Sequence, residues 1–214
     1  MSILKNLTKV KNDIGREIKL IVVTKNHSVR EINQLLFIGV KEIGESRVQE
    51  AKEKKLRVKK SATWHMIGHL QRNKVKDAVE LFDMIQSVDS LKLAKKLDSV
   101  CKSKNKKMAV LVQVNIAKEP QKYGVLEEEL FYFLKKLSEL NNIKVLGLMA
   151  VAPMASQKSI RFYFRKMKKL FEKVKEVRIS NIDMKYLSMG MSEDYPIAVQ
   201  EGTNMVRIGS KIFS

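Results

Sequence analysis

Eight short apolar runs, each followed by a stretch of helical period, predict a single (β/α)8 or TIM barrel with an extra helix at its N-terminus. Two further observations point the same way. The runs are continuously apolar, as strands buried on both faces of a parallel sheet are. The first run leads into TKNHSV, which has no glycine, whereas an open doubly wound sheet usually carries a Gly-rich first turn. With only three prolines and nine glycines, and no Gly/Ser-rich linker, the economical reading is one domain over residues 1–214.

In chain order, an amphipathic helix is expected over Ser2 to Glu17, followed by the first strand, KLIVVT. VKEIGE, TWHMIG and MIQSV supply the next three strands, with the lysine-rich helical stretch KEKKLRVKK between the second and the third. Leu91, Ala94, Leu97 and Cys101 repeat at helical spacing, and either Asp89 or Ser90 can cap that helix at its N-terminus. MAVLVQVNI and KVLGLMAVA are the fifth and sixth strands. Ile160, Phe164, Met167, Phe171 and Val174, four and three apart with lysines on the other face, define the clearest helix. MKYLSMG and NMVRIGS complete the set. Trp64, the lone tryptophan, is assigned to the core on the strand face opposite His65.

At 44% hydrophobic content the chain can build a proper core. One cysteine, Cys101, allows no internal disulfide, which suits a reducing compartment. The opening residues lack the continuous apolar core of a signal peptide, and no later run is long enough to cross a bilayer. A soluble, cytoplasmic protein with no membrane association is the expectation. The net charge of +19 raises the alternative of a nucleic-acid or anionic-surface binder. The lysines, however, are spread over almost every candidate helix as solvated faces, and no zinc-finger or RNA-binding signature accompanies them. No dedicated nucleic-acid partner is expected.

Reactive groups of such a barrel belong at the C-terminal ends of its strands. Those positions hold Lys25; Glu45 and Ser46; His65, Gly68 and His69; Ser87 and Asp89; Asn115; Ser188, Met191 and Ser192; and Arg207, Gly209 and Ser210. Any one of them could be an ordinary loop residue, and Lys25 could be merely where the first strand surfaces. The loops after strands seven and eight commonly hold a phosphate through backbone N–H groups. LSMGMSEDY and VRIGSKI suit that task, with Ser192 and Ser210 as hydroxyl donors, although Gly190 and Gly209 could equally serve tight turns. A lysine in a partly desolvated pocket beside another cation, here Arg207, is activated toward carbonyls. An amine, a phosphate cradle and a polar partner for a ring nitrogen together describe a site for pyridoxal 5′-phosphate. His65 and His69 are four apart, but WHMIG reads as a strand and no acidic base follows, so no metal site is expected.

The segments VVTKN, GESRVQEA, WHMIGHLQRNK, SVDS, VNIAKEPQKYGV, GLMAVAP, LSMGMSEDY and MVRIGSKIF follow one another in this order. In them the chain resembles the pyridoxal phosphate homeostasis proteins, also described as the YggS or PROSC family, over nearly its full length. The resemblance implies an alanine-racemase-type barrel without the second, β-rich domain of true alanine racemases, working as a monomer. It implies a Schiff base on Lys25, Arg207 facing the pyridine nitrogen, Ser192, Gly209 and Ser210 around the phosphate, and His65 near the ring. Ser188 and Met191 complete the expected cofactor surroundings. Where the family usually reads GENYVQE this chain has GESRVQE, so Ser46 and Arg47 replace an asparagine and a tyrosine and one secondary contact changes.

Two functions are compatible with such a site. One is a carrier that holds the cofactor without robust turnover, with transient contact to cofactor-dependent apoenzymes. An arginine at the ring nitrogen favours this, because it does not readily hand over its proton and leaves the ring a weak electron sink. The other is a minor amino-acid racemase, which needs a second acid/base group opposite Lys25. His65 and Tyr123 are the candidates for it, since the chain ends at Ser214 soon after the last strand.

Overall fold

In the computed structural model, which describes residues 2–214, eight parallel strands close into a barrel in chain order. They are β1 (Lys19–Val23), β2 (Glu42–Glu45), β3 (Thr63–Met66), β4 (Met84–Val88), β5 (Met108–Gln113), β6 (Ile143–Met149), β7 (Ile182–Ser188) and β8 (Met205–Ile208). Each corresponds to one of the expected apolar runs. β1 lies beside β8, with Lys19 opposite Met205 and Val22 opposite Ile208, so the two ends of the chain form one seam.

Helices α1 (Ile3–Ile14), α2 (Val29–Phe37), α3 (Val48–Lys55), α4 (Val75–Leu81), α5 (Leu91–Ser103), α6 (Leu130–Ser138), α7 (Gln157–Val177), α8 (Tyr195–Gln200) and α9 (Ser210–Phe213) accompany the strands. α1 stops three residues short of the expected Glu17 because Gly15 leaves the helical region at φ 76°. Its apolar face, Leu7, Val10 and Ile14, packs with Val206, Ile208 and Ile212. Ser90 caps α5 by accepting from the Leu93 N–H, while Asp89 pairs with His69 instead. In α7, Phe164, Met167, Phe171 and Val174 are buried as their spacing requires, and Leu170 joins them.

Side chains of a strand alternate between faces, which sorts the barrel into an inside and an outside. Ile21, Met84, Leu111, Met149 and Met205 form a small cluster inside. Ile43, Trp64, Met66 and Ile85 belong to the main core between strands and helices. Trp64 is therefore on the face opposite His65. The same alternation separates Thr24 from Lys25, one residue apart.

Candidate functional site

At the C-terminal mouth of the barrel lies a cavity of about 400 Å³, within the range of small-molecule sites. Lys25, Ser46 and Ile67 line it beyond β1, β2 and β3, and Val151 beyond β6. Met191 to Asp194 follow β7, while Arg207, Gly209 and Ser210 come from β8 and its turn. The amine and the two anion-suited loops meet there because β1 and β8 are neighbours.

The turn that carries Lys25 is pinned on both sides. Thr24 turns outward, where its hydroxyl donates to Glu45 Oε1 at 2.6 Å and its carbonyl accepts from Lys54 Nζ at 2.6 Å. The Asn26 N–H donates to Glu50 Oε1 at 2.6 Å, and Asn26 takes the left-handed conformation, φ 64°, that asparagine tolerates. Lys54 also reaches Glu45 and Glu50, at 2.8 and 2.5 Å. Lys25 itself makes no hydrogen bond or ion pair among the described residues. It is exposed at the open mouth, not sunk in a desolvated pocket, because the chain turns to the surface directly after Thr24.

Arg207 is the buried cation of the site, only 3% exposed. Its Nη1 donates to Ser188 Oγ at 2.6 Å and its Nη2 to the Ala150 carbonyl at 2.8 Å. It has no carboxylate within ion-pair distance among the described residues. Burial brings its guanidinium down to about 10, against the opposing charge of Asp194. Burial pushes the Asp194 carboxyl up; its Oδ1 accepts from the Met191 N–H at 2.6 Å. Ser192 Oγ accepts long hydrogen bonds, 3.3 and 3.4 Å, from the Gly209 and Lys211 N–H groups, which a stronger acceptor could draw away. A Cβ on Gly209 would lie 2.9 Å from the Val23 carbonyl oxygen, so this glycine lets the last turn close against the first strand. Gly190, at φ 95° and with α8 where a Cβ would go, serves the turn into that helix and does not line the cavity.

These groups fit a phosphorylated aldehyde with a ring nitrogen. There is an unpaired amine for the aldehyde, hydroxyl and N–H donors for the phosphate, and a buried guanidinium without an ion-pair partner among the described residues for the nitrogen.

Of the expected site residues, Lys25, Ser46, Met191, Ser192, Arg207, Gly209 and Ser210 line the cavity, and Ser188 and His65 do not. Ser188 lies beneath Arg207. His65 is inside the barrel, with Nε2 2.7 Å from Glu42 Oε2 and Nδ1 3.1 Å from Gln86 Nε2. Burial acts to raise the Glu42 carboxyl, and the hydrogen bonds from His65 and Lys19 outweigh it, taking it down to about 2. Tyr123 stacks on His69 at 3.6 Å, and neither lines the cavity. Sequence reasoning missed Val23, Ile67, Val151, Glu193 and Asp194 at the mouth and Glu42 and Gln86 below it. Val23 and Ile67 were within reach, being two residues from Lys25 and His65 and so on the same face.

The chain matches the family described as the alanine racemase N-terminal domain over residues 1–214. It is 36% identical to the pyridoxal phosphate homeostasis protein of Synechocystis sp. over 199 residues, 92% of this chain and 90% of that protein. Two solved structures of PipY from Synechococcus elongatus, one without and one with PLP bound, superpose with TM-scores of 0.95 and 0.92. Their identities are 33% and 32%, with full coverage of both chains. An alanine racemase of Clostridium difficile, 19% identical, has the same barrel at a TM-score of 0.81, covering 99% of this chain and 56% of that one.

Proposed function

The chain belongs to the pyridoxal phosphate homeostasis proteins, within the alanine racemase N-terminal domain family, and on that premise we propose that it binds pyridoxal 5′-phosphate at the barrel mouth and holds it without robust turnover. The observation that carries this reading is one cavity shared by the Lys25 amine, the Ser192 and Gly209–Ser210 donors and the Arg207 guanidinium. When bound, the group supplies an aldehyde carbon, a phosphate and an electron-withdrawing ring.

Lys25 would hold the aldehyde carbon covalently through its amine. Ser192, Ser210 and the turn at Gly209 would hold the phosphate, and Val23, Ile67 and Val151 add apolar surface. Arg207, still a cation at neutral pH, would offer an N–H to the ring nitrogen and keep its proton, which would leave electron withdrawal by the ring weak. His65 and Tyr123, the two candidates for an acid/base group opposite Lys25, both lie outside the cavity. Holding without turnover is consistent with that arrangement. Transient contact with cofactor-dependent apoenzymes in the cytoplasm, by a monomer, is part of the proposal.

The test is direct. Purified protein should be yellow, and borohydride reduction followed by peptide mass spectrometry should place the cofactor mass on Lys25. Lys25→Ala should melt like the cofactor-free parent protein and yield no such adduct. A reduced adduct on another lysine, with Lys25 unmodified, would overturn the assignment.

A further inference from the structure

The interior of an eight-stranded parallel barrel is normally filled by layers of branched apolar side chains. In this barrel a file of polar groups runs from the N-terminal rim to the mouth. Lys19 Nζ donates to Glu42 Oε1 at 2.5 Å, and Glu42 Oε2 lies 2.7 Å from His65 Nε2. Gln86 Nε2 lies 3.1 Å from His65 Nδ1, and Ser188 Oγ donates to Gln86 Oε1 at 2.7 Å. Arg207 Nη1 closes the file on Ser188 Oγ at 2.6 Å. His65, Gln86 and Ser188 are buried away from the cavity, so none of the three can trade its partner for bulk water.

The donors and acceptors permit one polarity only. A guanidinium has donors and no acceptor, so Ser188 Oγ must accept from it and send its own hydrogen elsewhere. That hydrogen goes to Gln86 Oε1, which turns the amide NH2 toward His65. His65 Nδ1 must then accept, placing the ring proton on Nε2, where it meets the Glu42 carboxylate. The other neighbour of the Gln86 amide is the Met205 sulfur at 3.3 Å, a weak acceptor.

We propose that Glu42, His65 and Gln86 are positioning residues for Arg207. The fixed polarity of the file points the Ser188 lone pairs at one edge of the guanidinium and so holds its free N–H groups toward the cavity. This rests on the reading of the cavity as a cofactor pocket, and it assigns the interior groups, which touch no ligand, the task of orienting the one that does.

A single-atom change reverses the file. In Glu42→Gln, Lys19 keeps the amide oxygen as its acceptor, which leaves the new NH2 facing His65. His65 Nε2 must then accept, the ring proton moves to Nδ1, and Gln86 turns over to offer its oxygen to the ring and its NH2 to Ser188. Ser188 Oγ now receives two donors, and its own hydrogen has no acceptor in the file. Gln86→Leu cuts the file without reversing it.

The experiment uses nitrogen NMR on the full chain after any bound cofactor has been stripped from it, with histidine and arginine labelled. The parent protein should carry the His65 proton on Nε2, and Glu42→Gln should carry it on Nδ1. Both Glu42→Gln and Gln86→Leu should shift the Arg207 side-chain signals and speed their hydrogen exchange. After pyridoxal 5′-phosphate is added, both variants should show an altered visible spectrum and about tenfold weaker retention, the worth of one good hydrogen bond. Borohydride should still mark Lys25 in both. Arg207 signals that match the parent in either folded variant would overturn the proposal. If the parent protein itself takes up no cofactor, the reading of the cavity has failed, while the signals of the cofactor-free protein still decide whether Arg207 is held in this way.

Discussion

Lys54→Met tests whether the turn bearing Lys25 is held in place by charge. Lys54, 7% exposed on α3, holds the Thr24 carbonyl and the Glu45 and Glu50 carboxylates within 2.8 Å. Methionine keeps the length of the stem and removes the ammonium. Glu45, fully buried, would then retain only the Thr24 hydroxyl, since its Oε2 has no partner to begin with. Breaking a buried pair from one side costs about 3–5 kcal/mol. In a chain of this size that is a fall in melting temperature of roughly 6–20 °C. Adding Glu45→Gln removes the stranded charge and should restore most of the loss. Burial already pushes the Glu45 carboxyl up, with Lys54 and Thr24 opposing it. Without Lys54 it rises further above its unfolded value. A carboxyl raised by folding stabilises fully below its unfolded value, near 4.3, and loses that contribution as the pH climbs through the raised one. The gap between variant and parent should therefore be widest at neutral pH and shrink toward pH 5. Urea unfolding at both pH values measures it. An equal gap at the two, or a double variant no more stable than Lys54→Met alone, would refute the reasoning.

Two other perturbations probe the seam between the chain ends. The Tyr195 hydroxyl donates to Asp13 at 2.6 Å, and burial, with that bond and the charge of Asp13, pushes the phenol up to about 12. Its contribution is intact below the ordinary value of 10.0 and is lost as the pH rises through 12. Tyr195→Phe should thus cost about 1–2 kcal/mol at pH 8. In denaturant melts the deficit should vanish above pH 12, and one that persists there would contradict the assignment. Gly209→Ala places a Cβ 2.9 Å from the Val23 carbonyl oxygen, so overpacking should cost about 1–3 kcal/mol and loosen cofactor retention. Thermal melts and dialysis of the loaded protein check both, and parent-like values in each would show that the close approach is tolerated.

The strands were legible because burial on both faces leaves a plain mark, an apolar run such as LIVV or AVLV, whatever the neighbours are. Most of the mouth residues, Lys25, Ser46, Ser192, Arg207 and Ser210, were legible because each is an early polar residue at the end of such a run. Depth was not. Strands of a barrel tilt and stagger, so the same count from the end of a run reaches different heights on different strands. Lys25 stands two residues beyond the end of β1, whereas Ser188 is the last residue of β7 and lies under Arg207. His65, near the end of β3, is deeper still. Gln86 carried a faint signal as a lone amide in MIQSV, but its partners lie on β3 and β7, and no spacing along one strand reveals a contact across the barrel. Lys54 looked like one more solvated lysine in KEKKLRVKK; only the approach of α3 to the ends of β1 and β2 makes it a buried one.

The seam has a bearing on when the protein can start work. Asn6 in α1 donates to the carbonyls of Ile212 and Ser214 at 3.3 and 2.6 Å, and β1 cannot complete its ladder until β8 arrives. A ribosome that has finished seven strands has long since released Lys25 from its exit tunnel, yet the turn that must face that lysine is still untranslated. On the proposed reading of the mouth, loading would thus wait until Arg207, Gly209 and Ser210 had been made and had joined β1 across the seam.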